Sequence, residues 1–169
     1  HTMNDKHKVV DNERKIPSSN DEYFIYQDII GSLPVKEMKS ENFEARLKNY
    51  ITKVLREGKE QSNWTEPEIT YEQATHQFIH SILSDTSGFL QQMKPFLHKV
   101  AYFGVINSLA QTLLKFTAPG VPDTFQGSEA WNFSFVDPDN RRPVDFEKLQ
   151  GELDSLVKSG ARLSELWTN

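Results

Sequence analysis

His76 and His80 stand four residues apart, a spacing that places two imidazoles on one helical face, within reach of a single metal ion. The intervening Gln77-Phe78-Ile79 lacks the glutamate of a zinc protease and no third ligand is evident, so a solvated or partner-facing edge is expected and no metal. His7 and His98 have no recognisable chemical neighbours. Gly120 and Gly127 lie seven apart with no lysine following, which is not the pattern of a phosphate-cradling loop. No serine sits in a Gly-x-Ser-x-Gly elbow, and with no cysteine in the chain there is neither a thiolate metal site nor a thiol nucleophile.

Two loops remain as candidates for chemistry. Phe125-Gln126-Gly127-Ser128-Glu129-Ala130-Trp131-Asn132 mixes an amide, a carboxylate and aromatic rings. Val136-Asp137-Pro138-Asp139-Asn140-Arg141-Arg142-Pro143-Val144-Asp145 carries three carboxylates and two guanidinium groups, which can pair in bidentate fashion. Sugar recognition uses this mixture: planar polar groups meet hydroxyls, and aromatic faces meet the C–H surface of the ring. The same residues can instead brace the loop, with Arg141 and Arg142 paired to Asp137, Asp139 and Asp145. Both readings stand on the residues alone.

The whole chain constrains what carries these loops. It has 169 residues, 19 Lys and Arg against 24 Asp and Glu, and a formal charge of −5, which argues against a phosphate-neutralising nucleic-acid binder. Hydrophobic residues at 37% and aromatics at 11% suffice for a core. No apolar run approaches the roughly 18–20 residues needed to cross a bilayer, and the start has no apolar signal core. His1-Thr2 ahead of Met3 reads as an addition to the natural sequence. The expectation is a soluble, acidic, globular protein of the cytoplasm, with neither nucleic acid nor membrane as partner.

Residues 1–19 are polar and expected to form a flexible arm unless something packs on them. Ser19 with Glu22 predicts a capping box opening a short helix over Tyr23, Phe24, Tyr26, Gln27, Ile29 and Ile30, stopped by Gly31 and Pro34. Phe43, Leu47, Tyr50, Ile51, Val54 and Leu55 form one helical stripe, with Glu44, Arg46, Lys48, Lys53 and Arg56 as a solvated opposite face. Thr70 and Gln73 predict a cap for a helix bearing Tyr71, Ala74, Phe78, Ile79, Ile82 and Leu83, interrupted at Ser84 to Gly88. An apolar stretch then runs from Phe89 to Phe116, with a break or start at Pro95, and from Val100 to Phe116 its nearly all-round apolar character predicts burial on several sides. Val121 to Phe125 reads as one short strand, and Asp145 as the cap of a last helix from Phe146 to about Lys158. A single strand leaves its backbone groups unpaired, so it is either an extended loop or has partners outside these residues.

Several runs resemble maltooligosyl trehalose synthase, a family of the α-amylase superfamily of (β/α)8 barrels. They are Ser108 to Lys115, Thr117 to Asp123, Gln126-Gly127 and Val136 to Asp145, and earlier Asn20 to Gln27, Arg56-Glu57-Gly58-Lys59 leading to Trp64, Pro67 and Tyr71-Glu72. The resemblance covers about residue 20 to about residue 158. Departures are mild: Phe125 replaces a usual tyrosine, Ser128 a threonine and Asn132 a frequent aspartate.

The resemblance implies a mainly α fold: a helical insertion plus the last strand-helix unit of a (β/α)8 barrel, excised as a fragment. Residues 20–116 would be the insertion subdomain and a barrel helix, and 117–169 the eighth barrel strand, substrate-side loops and final helix. Barrel active sites lie at the C-terminal ends of the strands, so Gln126, Glu129 and Trp131, with Asp139, Asn140, Arg141 and Arg142, would face substrate. Lys59, Trp64, Tyr23 and Gln27 would help to wall the pocket, with core packing as the plain alternative for Trp64 and Tyr23. The implied parent activity converts the reducing-end α-1,4 bond of a maltooligosaccharide to an α,α-1,1 linkage without a cofactor. The family's catalytic carboxylate motifs, on its fourth, fifth and seventh strands, are not among these residues, so the piece itself is expected to be inactive. Its partners would be maltooligosaccharide, the rest of the barrel, and further copies of itself over an exposed barrel face. The alternatives are a free-standing helical carbohydrate-binding or protein-interaction module, and a piece of an α-glucan hydrolase.

Overall fold

A computed structural model describes residues 2–33, 41–84 and 87–160. Among them are a β-hairpin of β1 (Val9–Asp11) and β2 (Arg14–Ile16), and five α-helices. These are α1 (Ser19–Ser32), α2 (Glu41–Gly58), α3 (Ile69–Leu83), α4 (Phe89–Thr117) and α5 (Phe146–Ser159). The mainly helical expectation therefore stands. The chain divides into two compact units: His1–Ala118 with Phe133–Asn140, and Pro119–Asn132 with Arg141–Asn169.

The first unit is built on the helical stripes. From α2, Phe43, Leu47, Ile51 and Leu55 are buried, and from α3, Tyr71, Ala74, Phe78, Ile79 and Ile82. Ile25 and Ile29 of α1, Leu90, Met93 and Leu97 of α4, and Ile16 and Phe135 complete the core. Each large side chain so buried contributes about 1.5–3 kcal/mol relative to exposure.

The arm is packed rather than loose. β1 and β2 pair antiparallel with Val9 opposite Ile16, and Ile16 and Asn4 are buried. Asn4 donates to the Tyr26 hydroxyl at 2.8 Å, and Lys8 pairs with the buried Glu22 at 2.8 Å. Tyr26 also donates to Glu22, so α1 supplies the polar anchor that the arm needs. A charge pair this deep holds only while both partners are present.

Several local expectations are corrected. The cap of α1 is Ser18, whose Oγ accepts from the Asp21 N–H, so the capping pair lies one residue earlier than Ser19 and Glu22. Gly31 lies inside α1 rather than ending it, and Pro34 falls outside the described residues. No side chain caps α3, whose N-cap is Glu68, so Thr70 and Gln73 do not form a box there. The interruption after α3 is present, with Ser84 as C-cap and Gly88 at φ 73°; residues 85–86 lie outside the described set.

Pro95 neither breaks nor starts α4, which continues through it as one 29-residue helix. It sits in the second turn, where one ladder bond is lost and the packed positions Met93 and Leu97 on either side hold the helix together. Beyond Leu97, α4 is not covered by other described residues: Tyr102, Phe103, Leu109, Leu113 and Phe116 are all more than half exposed. The burial on several sides expected for Val100 to Phe116 is thus not found among the described residues, and the buried positions of α4 are Leu90, Met93 and Leu97.

In the second unit, Val121 to Phe125 is extended but forms no ladder among the described residues, and Val121 is 98% exposed. A turn follows, in which Ser128 donates both its N–H and its hydroxyl to the Phe125 carbonyl. Gly127 adopts φ 77° there, and a Cβ at that position would lie 2.9 Å from a Val144 methyl. Both the backbone angle and the close approach require glycine. Asp145 caps α5 as expected, accepting from the Lys148 N–H at 2.9 Å.

Candidate functional site

Arg46, Asn49, Tyr50 and Lys53 recur at helical spacing along α2, beside the stripe that enters the core. With Thr52, Trp64 and the segment Phe135 to Asp139 they line a cleft of about 290 Å³ that lies entirely in the first unit. Its aromatic wall is the Tyr50–Phe135 pair, stacked at 4.8 Å between centroids and 15° between planes.

The segment 133–140 is held to α2 by charge-assisted bonds. Arg46 donates from Nε and Nη2 to both oxygens of Asp139 at 2.9–3.1 Å, and from Nη2 to the Phe133 carbonyl. Asp139 Oδ2 also accepts the Phe135 N–H at 2.7 Å. Lys53 donates to the Asp137 carbonyl at 2.9 Å and also pairs with Glu57, one turn further along α2, at 3.9 Å. The Arg46 guanidinium stands 5.3 Å from the centroid of the Phe135 ring, so it is a packing group as well as a charge.

Trp64 is fixed from the other side. Glu72 is buried and receives two bonds from Arg56 at 2.7 Å, plus the Ser62 hydroxyl at 2.6 Å. Those bonds, Arg56 foremost, hold the Glu72 carboxyl below the usual range. Arg56 in turn stands over the Trp64 ring at 5.0 Å. Trp64 is 57% exposed, so it is a presented ring and not a core residue.

The expectation of a solvated face on α2 is thus corrected: Arg46, Lys53 and Arg56 are partly buried and each serves a defined acceptor. Helical periodicity separates apolar from polar positions, but it cannot see a distant carboxylate. The signal available was the surplus of acidic and carbonyl acceptors in Asp137 to Asp139, which called for cations from elsewhere in the chain.

Among the site residues expected from sequence, Trp64 and Asp139 line this cleft. Asn140 belongs to the first unit and is exposed, in the short helical turn Asp139–Arg141. Lys59 is exposed just past the end of α2 at φ 57°, a left-handed helix terminus. Tyr23 and Gln27 share an exposed face of α1, so Tyr23 is not core either. Gln126, Glu129, Trp131, Arg141 and Arg142 are exposed residues of the second unit. Asn49, Tyr50, Lys53 and Phe135 were not anticipated as site residues.

The two helical histidines go to different partners. His76 Nε2 lies 2.8 Å from Thr52 Oγ1, and burial lowers its pKa, while His80 Nδ1 faces Glu44 at 3.0 Å. Among the described residues no three metal-ligating side chains are gathered to hold an ion, and no helix is long and apolar enough to cross a membrane.

No family model matches the chain. A Mycobacterium tuberculosis protein bearing the name maltooligosyl trehalose synthase is 34% identical over 138 residues, which are 79% of this chain. The chain spans 17% of the length of that curated relative. A solved maltooligosyl trehalose synthase is 31% identical, with a TM-score of 0.79 over 91% of this chain and 21% of its own. A glycosyltrehalose synthase structure is 42% identical, with a TM-score of 0.73 over 80% of this chain and 18% of its own. The enzyme of Arthrobacter ramosus gives 34% identity and a TM-score of 0.73 over 83% of this chain and 18% of its own. The resemblance read from the sequence therefore stands: over about four-fifths of its residues, this chain matches one segment of maltooligosyl trehalose synthase.

Proposed function

We propose that the chain is part of an enzyme that isomerises the reducing-end α-1,4 bond of maltooligosaccharides to an α,α-1,1 linkage by intramolecular transglycosylation. The observation that carries this reading is the match to synthase structures at 31–42% identity with TM-scores of 0.73–0.79. In such chemistry one carboxylate attacks the anomeric carbon while a second protonates the leaving oxygen, the two lying about 5–5.5 Å apart. The freed glucose then turns within a closed pocket, and its anomeric hydroxyl attacks the glycosyl-enzyme.

On this reading the chain supplies binding and walling groups, and the catalytic carboxylates come from sequence outside these residues. Val121 to Phe125 is the eighth barrel strand, waiting for neighbours, and α4 is a barrel helix. Their exposed apolar side chains support this, since both elements present surface that water covers poorly. Gln126, Glu129 and Trp131 then lie at the C-terminal end of the strand, where barrel enzymes bind substrate. Arg141, Arg142 and Asn140 belong to the adjoining loop, and Lys59, Trp64, Tyr23 and Gln27 to the helical insertion.

A segment exchange tests the proposal. This chain replaces the matching segment of a maltooligosyl trehalose synthase, and maltopentaose is followed by proton NMR. An α,α-1,1 anomeric signal from the exchanged enzyme, with none from the chain alone, is the expected result. A folded exchange product that yields only free glucose would replace isomerisation with hydrolysis. A signal from the chain alone would place the chemistry within these residues and overturn the division of labour.

A further inference from the structure

Arg46, Tyr50 and Lys53 stand at i, i+4 and i+7 on α2, one face of the helix, and each holds a different level of the segment Phe133–Asn140. Arg46 donates to the Phe133 carbonyl and to both oxygens of Asp139, Tyr50 stacks on Phe135, and Lys53 donates to the Asp137 carbonyl. Asp139 closes the segment on itself: its carboxylate accepts the Phe135 N–H, and its own N–H goes to the Val136 carbonyl at 3.0 Å. The Arg46 and Asp139 side chains are both largely buried, so their fork is shielded from the water that loosens a surface pair.

The positions held in this way are the ones from which the candidate substrate groups depart. Trp131 lies two residues ahead of Phe133, and Asn140 and Arg141 lie one and two residues beyond Asp139. Each peptide step spans about 3.8 Å between Cα atoms, so Trp131 and Arg141 are leashed within about 8 Å of backbone that α2 holds. Asp139, with both oxygens engaged, is the anchor of that leash. We infer that Arg46 is a positioning residue: acting through Asp139, it sets where Trp131, Asn140 and Arg141 enter the substrate site, and so governs whether the glycosyl-enzyme passes to the freed glucose or to water. This rests on the proposed function, which assigns those three residues to the substrate side. The glucose must turn while its pocket stays closed, whereas water needs only an opening. Slack in the entry points therefore harms transfer to glucose more than transfer to water. Either acceptor gives its oxygen to the anomeric carbon and its proton to the acid/base carboxylate as the bond to the nucleophile breaks, so geometry sets the partition.

The test compares Arg46→Lys and Arg46→Ala, with Ile79→Val, a change confined to the core, as the control for lost stability. In the 169-residue chain, nitrogen-15 relaxation should show the Trp131, Asn140 and Arg141 amides loosened in both Arg46 variants and unchanged in Ile79→Val. In the exchanged synthase acting on maltopentaose, the ratio of free glucose to α,α-1,1 product should rise about threefold or more in Arg46→Lys, and further in Arg46→Ala. Ile79→Val should leave that ratio unmoved, because it does not depend on how much of the enzyme is folded. Arg46→Lys keeps a positive charge over the buried carboxylate, so the test survives if Arg46→Ala fails to fold. Amides as ordered as in the unaltered chain, or an unchanged ratio, would overturn the inference and leave the functional proposal standing. An equal rise in Ile79→Val would also overturn it, reducing Arg46 to a stabilising residue. If the unaltered exchanged enzyme makes no α,α-1,1 product, the functional proposal falls and the partition with it, while the relaxation measurement still decides whether Arg46 leashes these residues.

Discussion

Arg46 and Asp139 lie 93 residues apart and meet through two guanidinium nitrogens and both carboxylate oxygens, with each side chain about five-sixths buried. One carboxylate thereby ties α2 to a segment whose flanks belong to the second unit, and also terminates the Phe135 N–H. Removing the guanidinium leaves Asp139 charged and largely buried, which costs about 2–4 kcal/mol. Arg46→Ala is expected to lower the unfolding free energy read from urea denaturation by that amount and to speed exchange of the Phe135 amide. Arg46→Lys should recover only part of the loss, because an ammonium cannot form the two-nitrogen fork. Equal stability of the lysine and arginine forms would show that charge alone matters there.

Gly127 carries a second, local constraint. Its φ of 77° and the 2.9 Å approach to Val144 are separate penalties for any side chain. Gly127→Ala should destabilise the Phe125–Ser128 turn by about 1–3 kcal/mol, read as faster exchange of the Ser128 amide, which donates to Phe125. Adding Val144→Ala removes the contact but leaves the backbone angle, so it should restore part of the protection and not all. Full restoration would assign the whole cost to the methyl contact.

Asp28, on α1, has a buried carboxylate oxygen that makes no hydrogen bond, and burial pushes its pKa up to about 7. The folded value lies above the unfolded one of about 3.9, so the folded state holds the extra proton between roughly pH 4 and pH 7. Its contribution is therefore full below about pH 4 and is lost as the pH rises through 7. Asp28→Asn keeps the shape without the charge. It should be close to wild type at pH 4 and more stable by about 1–2 kcal/mol at pH 8, a figure reduced for the water that screens a half-buried group. Thermal melts at the two pH values check it; a gain of the same size at both would remove titration as the cause.

Much of this was legible because helical stripes report directly on burial. Phe43, Leu47, Ile51 and Leu55 entered the core at the spacing that predicted them, as did Tyr71, Phe78 and Ile82. Asp145 was legible as a cap because its side chain acts on a backbone only three residues away. What was not legible depends on partners far along the chain. The packed arm rests on Lys8 finding Glu22, the cleft on Arg46 finding Asp139, and the placement of Trp64 on Arg56 finding Glu72. No local pattern encodes those pairings, so charged positions on α2 read as solvent-facing until the fold brought their acceptors in. Pro95 misled for a related reason: the local cost of proline was visible, but not the packing of Met93 and Leu97 that offsets it.

The second half of α4 leads to a prediction about the chain in solution. Leu109, Leu113 and Phe116 are 55–65% exposed on a helix whose other face offers few charges, and no described segment covers them. Burying such surface is favourable at about 25 cal/mol per Å², so a second copy can supply the cover that no described segment gives. The chain is expected to associate reversibly as its concentration rises from about 1 to about 100 µM, a range in which contacts of roughly 5.5–8 kcal/mol become populated. Leu113→Glu with Phe116→Glu places two carboxylates in that surface without touching the core, and should shift sedimentation toward the monomer while leaving the helical content unchanged. A wild-type chain that remains monomeric throughout that range would mean that this face is covered from within the molecule. The two glutamates would then act on stability instead of on assembly.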